Sequence, residues 1–134
     1  TNADGKVTLR SYGSMTYAGL LALIYAQVDA SDPRVQAAKD WASRHWTLDE
    51  NPGMGQEGLY YFFNVLTKSL AAAGDETLTL PDGRTIAWRA EVARKLIALQ
   101  KPDGFWVNDA NRWWEADPNL VTSYVLLALA AALQ

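Results

Sequence analysis

The chain has 134 residues, 49% of them hydrophobic and 20% charged, with a net charge of −3 and a pI near 5.0. That composition suits one folded domain with a core of its own and excludes disorder, while scattered lysines and arginines exclude the basic stripe of a nucleic-acid binder. With no cysteine there is no disulfide, thiol nucleophile or thiolate metal site.

The polar, turn-like start from Thr1 to Lys6 suits a domain boundary, a processed end or a cut within a longer protein, and no signal peptide is present. The compartment is unreadable, and an exported parent is compatible with these residues. A first helix is expected over roughly Ser14 to Val28. Met15, Tyr17, Leu20, Leu21, Leu23, Ile24 and Val28 cannot share one stripe, so this helix should be buried all round. A second, Pro33 to Trp46, has Asp32 as N-cap and Pro33 at N1, with one apolar and one wet face. A third, Gln56 to Ala73, closes on Gly74 and is again apolar on every side. Thr77 to Ile86 alternates and carries Asp82-Gly83, the signature of a short β-hairpin. A fourth helix, Trp88 to Gln100, is amphipathic, and a fifth, Pro118 to Leu133, is apolar on most sides. The most apolar runs, around Leu20 to Tyr25 and Val125 to Leu133, are too short to span a bilayer.

Burial therefore alternates along the chain, as expected of odd helices in an inner layer covered by even ones. Thr16-x-x-x-Leu20-Leu21-Ala22-Leu23 reappears as Thr122-x-x-x-Leu126-Leu127-Ala128-Leu129, which supports helical-hairpin repeats.

Leu96, Gln100, Gly104 and Trp106 form the pattern Leu-x3-Gln-x3-Gly-x-Trp. Gln100 would sit at a helix C-terminus, Gly104 would turn the backbone at positive φ, and Trp106 would fold back as an apolar cover with one N–H to satisfy. The pattern resembles the QW motif of the terpene cyclase and prenyltransferase (squalene-hopene cyclase-like) repeat family. Gly13 to Leu20, Thr47 to Gly55, Gly58 to Tyr61 and Asp117 to Tyr124 also look like bacterial prenyltransferase/squalene-oxidase repeat proteins, many of them uncharacterised. The likeness runs from about Arg10 to the end. It implies an all-α fold, part of an α/α toroid, with the 134 residues as one partial repeat domain from a longer protein. Five helices are too few to close such a ring. The open edge calls for the parent's remaining repeats or for a second copy.

The resemblance also implies an isoprenoid or lipid-like ligand in an aromatic-lined cavity, with no cofactor. Tyr17, Tyr61, Trp113 and Tyr124 are the ligand-binding candidates it suggests. Cyclases of the family protonate their substrate with Asp-x-Asp-Asp, which is absent. Asp109, Glu115 and Asp117, flanking Trp113 and Trp114, are the nearest acids to an aromatic wall. Asp117 before Pro118 also reads as an N-cap, and Asp109 and Glu115 as solvated groups or partners of Arg112. The zinc set of the protein prenyltransferases cannot be built here: cysteine is missing and the one histidine, His45, falls at an outer-helix end, where it caps carbonyls or packs on Trp46. Asn51, Gln56 and Glu57 either meet a polar head group at the mouth of a ring or belong to a tight connection whose carboxylates cap a helix. Binding of an isoprenoid and a non-catalytic scaffold role both stay open. A glycan-processing toroid would want paired carboxylates, for which Asp49 with Asp117 is the conceivable pair.

Overall fold

The computed structural model describes Gly5, Val7 and residues 9–134; the reading of Thr1 to Lys6 falls, apart from Gly5, outside them. Among the described residues the chain is all-α: α1 Gly13–Tyr25, α2 Pro33–Arg44, α3 Leu59–Ala73, α4 Trp88–Leu99 and α5 Pro118–Ala132. A short turn, Arg112–Trp114, precedes α5. The expected hairpin is present between α3 and α4, with β1 Leu78–Thr79 antiparallel to β2 Thr85–Ile86.

Helices α2 and α5 start where a local acceptor and a proline meet the free amides. Asp32 caps α2 by accepting from the Arg34 amide at 2.9 Å, with Pro33 at N1. Hydrogen bonds from the Arg34 side chain and amide hold the Asp32 carboxyl down at about 2. Asp117 does the same for α5 through the Asn119 amide at 2.9 Å, with Pro118 at N1. Helix α3 ends at Gly74, in the left-handed conformation anticipated for it. Helix α1 stops at Tyr25, three residues short of the expected end, because Gln27 turns left-handed at φ 57° and Val28 bonds back to the Leu23 carbonyl.

α3 lies between α1 and α5, while α2 packs on α1, and α4 packs on α5 and on the edge of α3. The core follows from this order. Phe62, Phe63, Leu66 and Leu70 of α3 are buried beneath Tyr17 and Leu20 of α1 and Val121, Val125 and Ala128 of α5. Trp88, Val92 and Leu96 of α4 close one side, and Leu78, Leu80 and Ile86 of the hairpin close the base.

The expected burial of α1 and α5 on every side is corrected. Only α3 is enclosed all round. Met15 and Tyr25 on α1, and Leu126 and Leu127 on α5, are exposed, because each of these helices has a helix of its own row on one flank alone. Their apolar flanks are therefore free edges of the row.

The Leu96 to Trp106 pattern folds as its chemistry requires. Trp106 is buried, at 4% exposure, and its indole N–H donates to the Leu96 carbonyl oxygen at 2.7 Å. Gln100, the residue after α4, donates from Nε2 to the Gly104 carbonyl oxygen at 3.1 Å. Gly104 sits at φ 88°, a region where a Cβ is costly. The tryptophan thus satisfies one open carbonyl of the helix end and covers α4 with its ring. Trp106→Ala is expected to lose about 3–5 kcal/mol of stability and Gln100→Ala at most about 1 kcal/mol. Urea unfolding monitored by far-ultraviolet circular dichroism checks both, and equal losses would contradict this division of roles.

Candidate functional site

The amino ends of α1, α3 and α5 come together at one end of the row, and a recess of about 280 Å³ opens there. Tyr12, Ser14 and Met15 line it from the start of α1, Tyr61 from α3 and Tyr124 from α5, while the loop between them contributes Trp113 and Glu115. Tyr61 and Tyr124 meet with ring centroids 5.9 Å apart and planes tilted by 60°.

Glu115 organises this end of the molecule. Its Oε1 accepts from the Tyr61 amide at 2.8 Å, and its Oε2 accepts from the Tyr60 amide at 3.2 Å and from Asn108 Nδ2 at 2.8 Å. α3 begins after Gly58 without a cap from its own sequence, and the carboxylate supplied from more than fifty residues away takes that part. The Glu115 side chain is buried, at 1% exposure, so the expectation of a solvated group or a partner of Arg112 is corrected. Arg112 instead pairs with Glu57 at 2.8 Å and lays its guanidinium 4.6 Å from the Trp113 ring centroid. A carboxylate accepting from three N–H groups has the bonding pattern of the ionised form and no proton to give in those contacts.

α1 is capped from outside its own sequence as well. Asn51 is fully buried; its Oδ1 accepts from the Ser14 amide at 2.9 Å, and its Nδ2 donates to the Ser14 hydroxyl and the Glu57 carbonyl. Gln56 donates to the Asp49 carbonyl oxygen at 2.8 Å. The loop from Asp49 to Glu57 is therefore a tight connection, but the cap comes from the Asn51 side-chain amide and not from a carboxylate: Asp49 and Glu57 pair with Lys95 and Arg112. Asp49 pairs with Lys95 at 2.7 Å and Asp117 caps α5, so each of the two carboxylates considered for glycan chemistry is engaged separately.

The tandem tryptophans are held in an unusual backbone. Trp113 and Trp114 both adopt positive φ, 59° and 62°, a conformation that costs a bulky residue on the order of 1 kcal/mol or more. It is kept by the loop around them: the Asn108 amide donates to the Glu115 carbonyl oxygen at 2.9 Å, and Asn111 Oδ1 accepts from the Ala116 amide at 3.2 Å. Trp113 lies so close to Gly58 that a Cβ there would sit 2.9 Å from the ring, and Gly58 is itself at φ 67°. Trp114 is 76% exposed at the rim.

Of the ligand-binding candidates, Tyr61, Trp113 and Tyr124 share the recess, whereas Tyr17 faces the core and packs 5.8 Å from Phe62. Of the acids, Glu115 alone lines it; Asp117 is the N-cap of α5 and Asp109 is exposed on the loop. His45 is the C-cap of α2, its Nδ1 2.9 Å from the Trp41 carbonyl oxygen, and it stacks on Trp41 instead of Trp46. Among the described residues no group of three or more His, Asp or Glu side chains is placed to hold a metal ion. Tyr12, Ser14, Met15 and Asn108 escaped the sequence reading. Tyr12 and Met15 straddle the start of α1, and nothing local marks which helix end the loop will cover.

Burial raises the phenols of Tyr60 and Tyr124 above their ordinary value, and the charge of Glu115 raises them further; Tyr17 is raised by burial. No protein-family model, curated protein or solved structure matches the chain.

Glu115→Ala leaves two α3 amides and the Asn108 amide without their acceptor and is expected to cost roughly 2–4 kcal/mol, against about 1 kcal/mol for Asp117→Ala. Chemical unfolding of the two variants side by side checks this, and a smaller loss for Glu115→Ala would contradict it. The raised phenols stay neutral in the fold at a pH where those of the unfolded chain ionise. Their stabilisation is therefore complete below about pH 10 and is lost as pH rises through the folded-state values. Tyr17→Phe should leave the urea midpoint near pH 7 almost unchanged and flatten its fall above about pH 10; an equally steep fall would exclude Tyr17 as its source.

Proposed function

We propose that this chain is a ligand-binding helical repeat domain of the terpene cyclase/prenyltransferase type, whose recess takes one end of an isoprenoid or similarly lipid-like molecule. The observation that carries the reading is the convergence of Tyr12, Tyr61, Trp113, Tyr124 and Met15 around one opening at the amino ends of α1, α3 and α5. The alternating helices and the Gln100–Trp106 latch support the same lineage. A volume of about 280 Å³ is at the small end for ligand sites, which suits a chain end or a head group more than a whole polyprenyl chain.

The reading is of binding without a catalytic step. Glu115, among the described residues the one carboxylate lining the recess, is committed to capping α3, and Asp117 to capping α5. A second reading, a scaffold that docks further repeats or another copy, draws on a separate observation, the exposed Leu126 and Leu127 on α5 and Met15 and Tyr25 on α1.

Titration with farnesol and geranylgeraniol, followed by tryptophan fluorescence, separates the two. The binding reading expects saturable quenching that Trp113→Ala weakens roughly tenfold, as loss of an aromatic anchor does. No saturable response, together with sedimentation that rises with protein concentration, would favour the scaffold.

A further inference from the structure

Acids outnumber bases around the recess. Glu115 lines it, Asp109 and Asp117 flank it in the same loop, and Arg112, the base between them, is already paired with Glu57. Among the described residues none that lines it is Lys, Arg or His.

Three helix amino ends would ordinarily draw an anion, because their first amides point outward and the dipoles favour negative charge. Here five of those amides are taken. The Gly13 amide donates to the Pro52 carbonyl oxygen and the Ser14 amide to Asn51; the Tyr60 and Tyr61 amides donate to Glu115 and the Asn119 amide to Asp117. A phosphate or diphosphate entering the recess would meet the fixed carboxylate of Glu115, with only neutral Tyr, Trp and Ser donors among the described lining residues to offset the repulsion and the loss of water.

A cation meets the opposite conditions. Tyr12, Tyr61 and Tyr124 bring π systems that attract positive charge, Trp113, whose ring already carries the Arg112 guanidinium on one side, adds apolar wall, Met15 adds a polarisable thioether, and Glu115 supplies the counter-charge. The contacts Glu115 already makes leave it poorly placed to replace the water around a primary ammonium, which needs an acceptor for each N–H. A fully methylated ammonium needs none.

We propose that the recess binds a quaternary ammonium group, the trimethylammonium end of a choline-type molecule, between the rings of Tyr12, Tyr61, Trp113 and Tyr124 and the carboxylate of Glu115. This rests on the recess being a ligand site, and it names the head group that site takes. The group reaches it either as a free small molecule or as the head of a choline phospholipid.

The test is calorimetric titration of the whole chain with choline and with 3,3-dimethylbutan-1-ol, which replaces the trimethylammonium group by a neutral tert-butyl group of the same shape. Choline should bind saturably, roughly 3- to 30-fold tighter than the neutral compound. Equal affinities, or saturable farnesol binding without choline binding, would overturn the cation proposal and leave the lipid-binding reading standing. Failure of choline, the neutral compound and farnesol alike would remove both. Tyr124→Phe should keep choline affinity within about twofold and Tyr124→Leu should lower it about tenfold, since the ring and not the hydroxyl holds the cation; equal losses would overturn the proposal. Co-sedimentation with phosphatidylcholine vesicles, competed by choline and absent with phosphatidylglycerol vesicles, assigns the lipid source; choline binding without vesicle binding assigns the free molecule.

Discussion

One buried carboxylate ties the two halves of this molecule together. Glu115 stands in the loop before α5, yet its bonds go to the amides that open α3, the helix at the centre of the row. Burying a charge away from water is costly unless it is matched, and here the match is a set of N–H donors and the positive end of a helix dipole, with no opposing cation in contact among the described residues. Because the bonds span more than fifty residues, they form only when α5 has docked beside α3, so the cap reports on the assembled row.

The same bonds shape the recess. The loop that delivers Glu115 also carries Trp113 and Trp114, and drawing the carboxylate onto α3 sets the tryptophan backbone in a conformation it would not choose alone. Trp113 is pressed against Gly58 at the entrance to α3, and Tyr61 and Tyr124 meet beside it. Structure and electrostatics therefore have one origin: the capping of three helix ends occupies most of their side-chain-accessible amides and, among the described residues, sets the Glu115 carboxylate within an aromatic wall. The proposed head-group preference is then a by-product of how the helix ends are satisfied.

What could be read in the sequence was the local part. Asp32-Pro33 and Asp117-Pro118 announce helix starts because their caps act within two residues, and Leu96, Gln100, Gly104 and Trp106 announce their turn because each partner lies within ten. The all-α class, the five helices and the hairpin follow from periodicity of the same short range. The role of Glu115 was not legible, since an acid in a tryptophan-rich loop looks the same whether it points into water or onto a distant helix. Tyr17 was misassigned for a related reason. Its position in α1 allows both the core and the cavity, and only the placement of Phe62 decides. Apolar residues on every side of α1 and α5 were read as burial, but these helices end the row, and a free edge has the same composition as a filled one.

The most direct measurement of the central claim is native-state hydrogen exchange at the Tyr60 and Tyr61 amides. First-turn amides of a helix normally exchange quickly, because they have no partner within the helix. If Glu115 holds α3 as described, the Tyr61 amide is protected nearly as well as Leu66 and Leu70 in the helix interior, and its exchange follows global unfolding. Exchange of Tyr61 at the rate of a frayed end, with the interior of α3 still protected, would contradict the account.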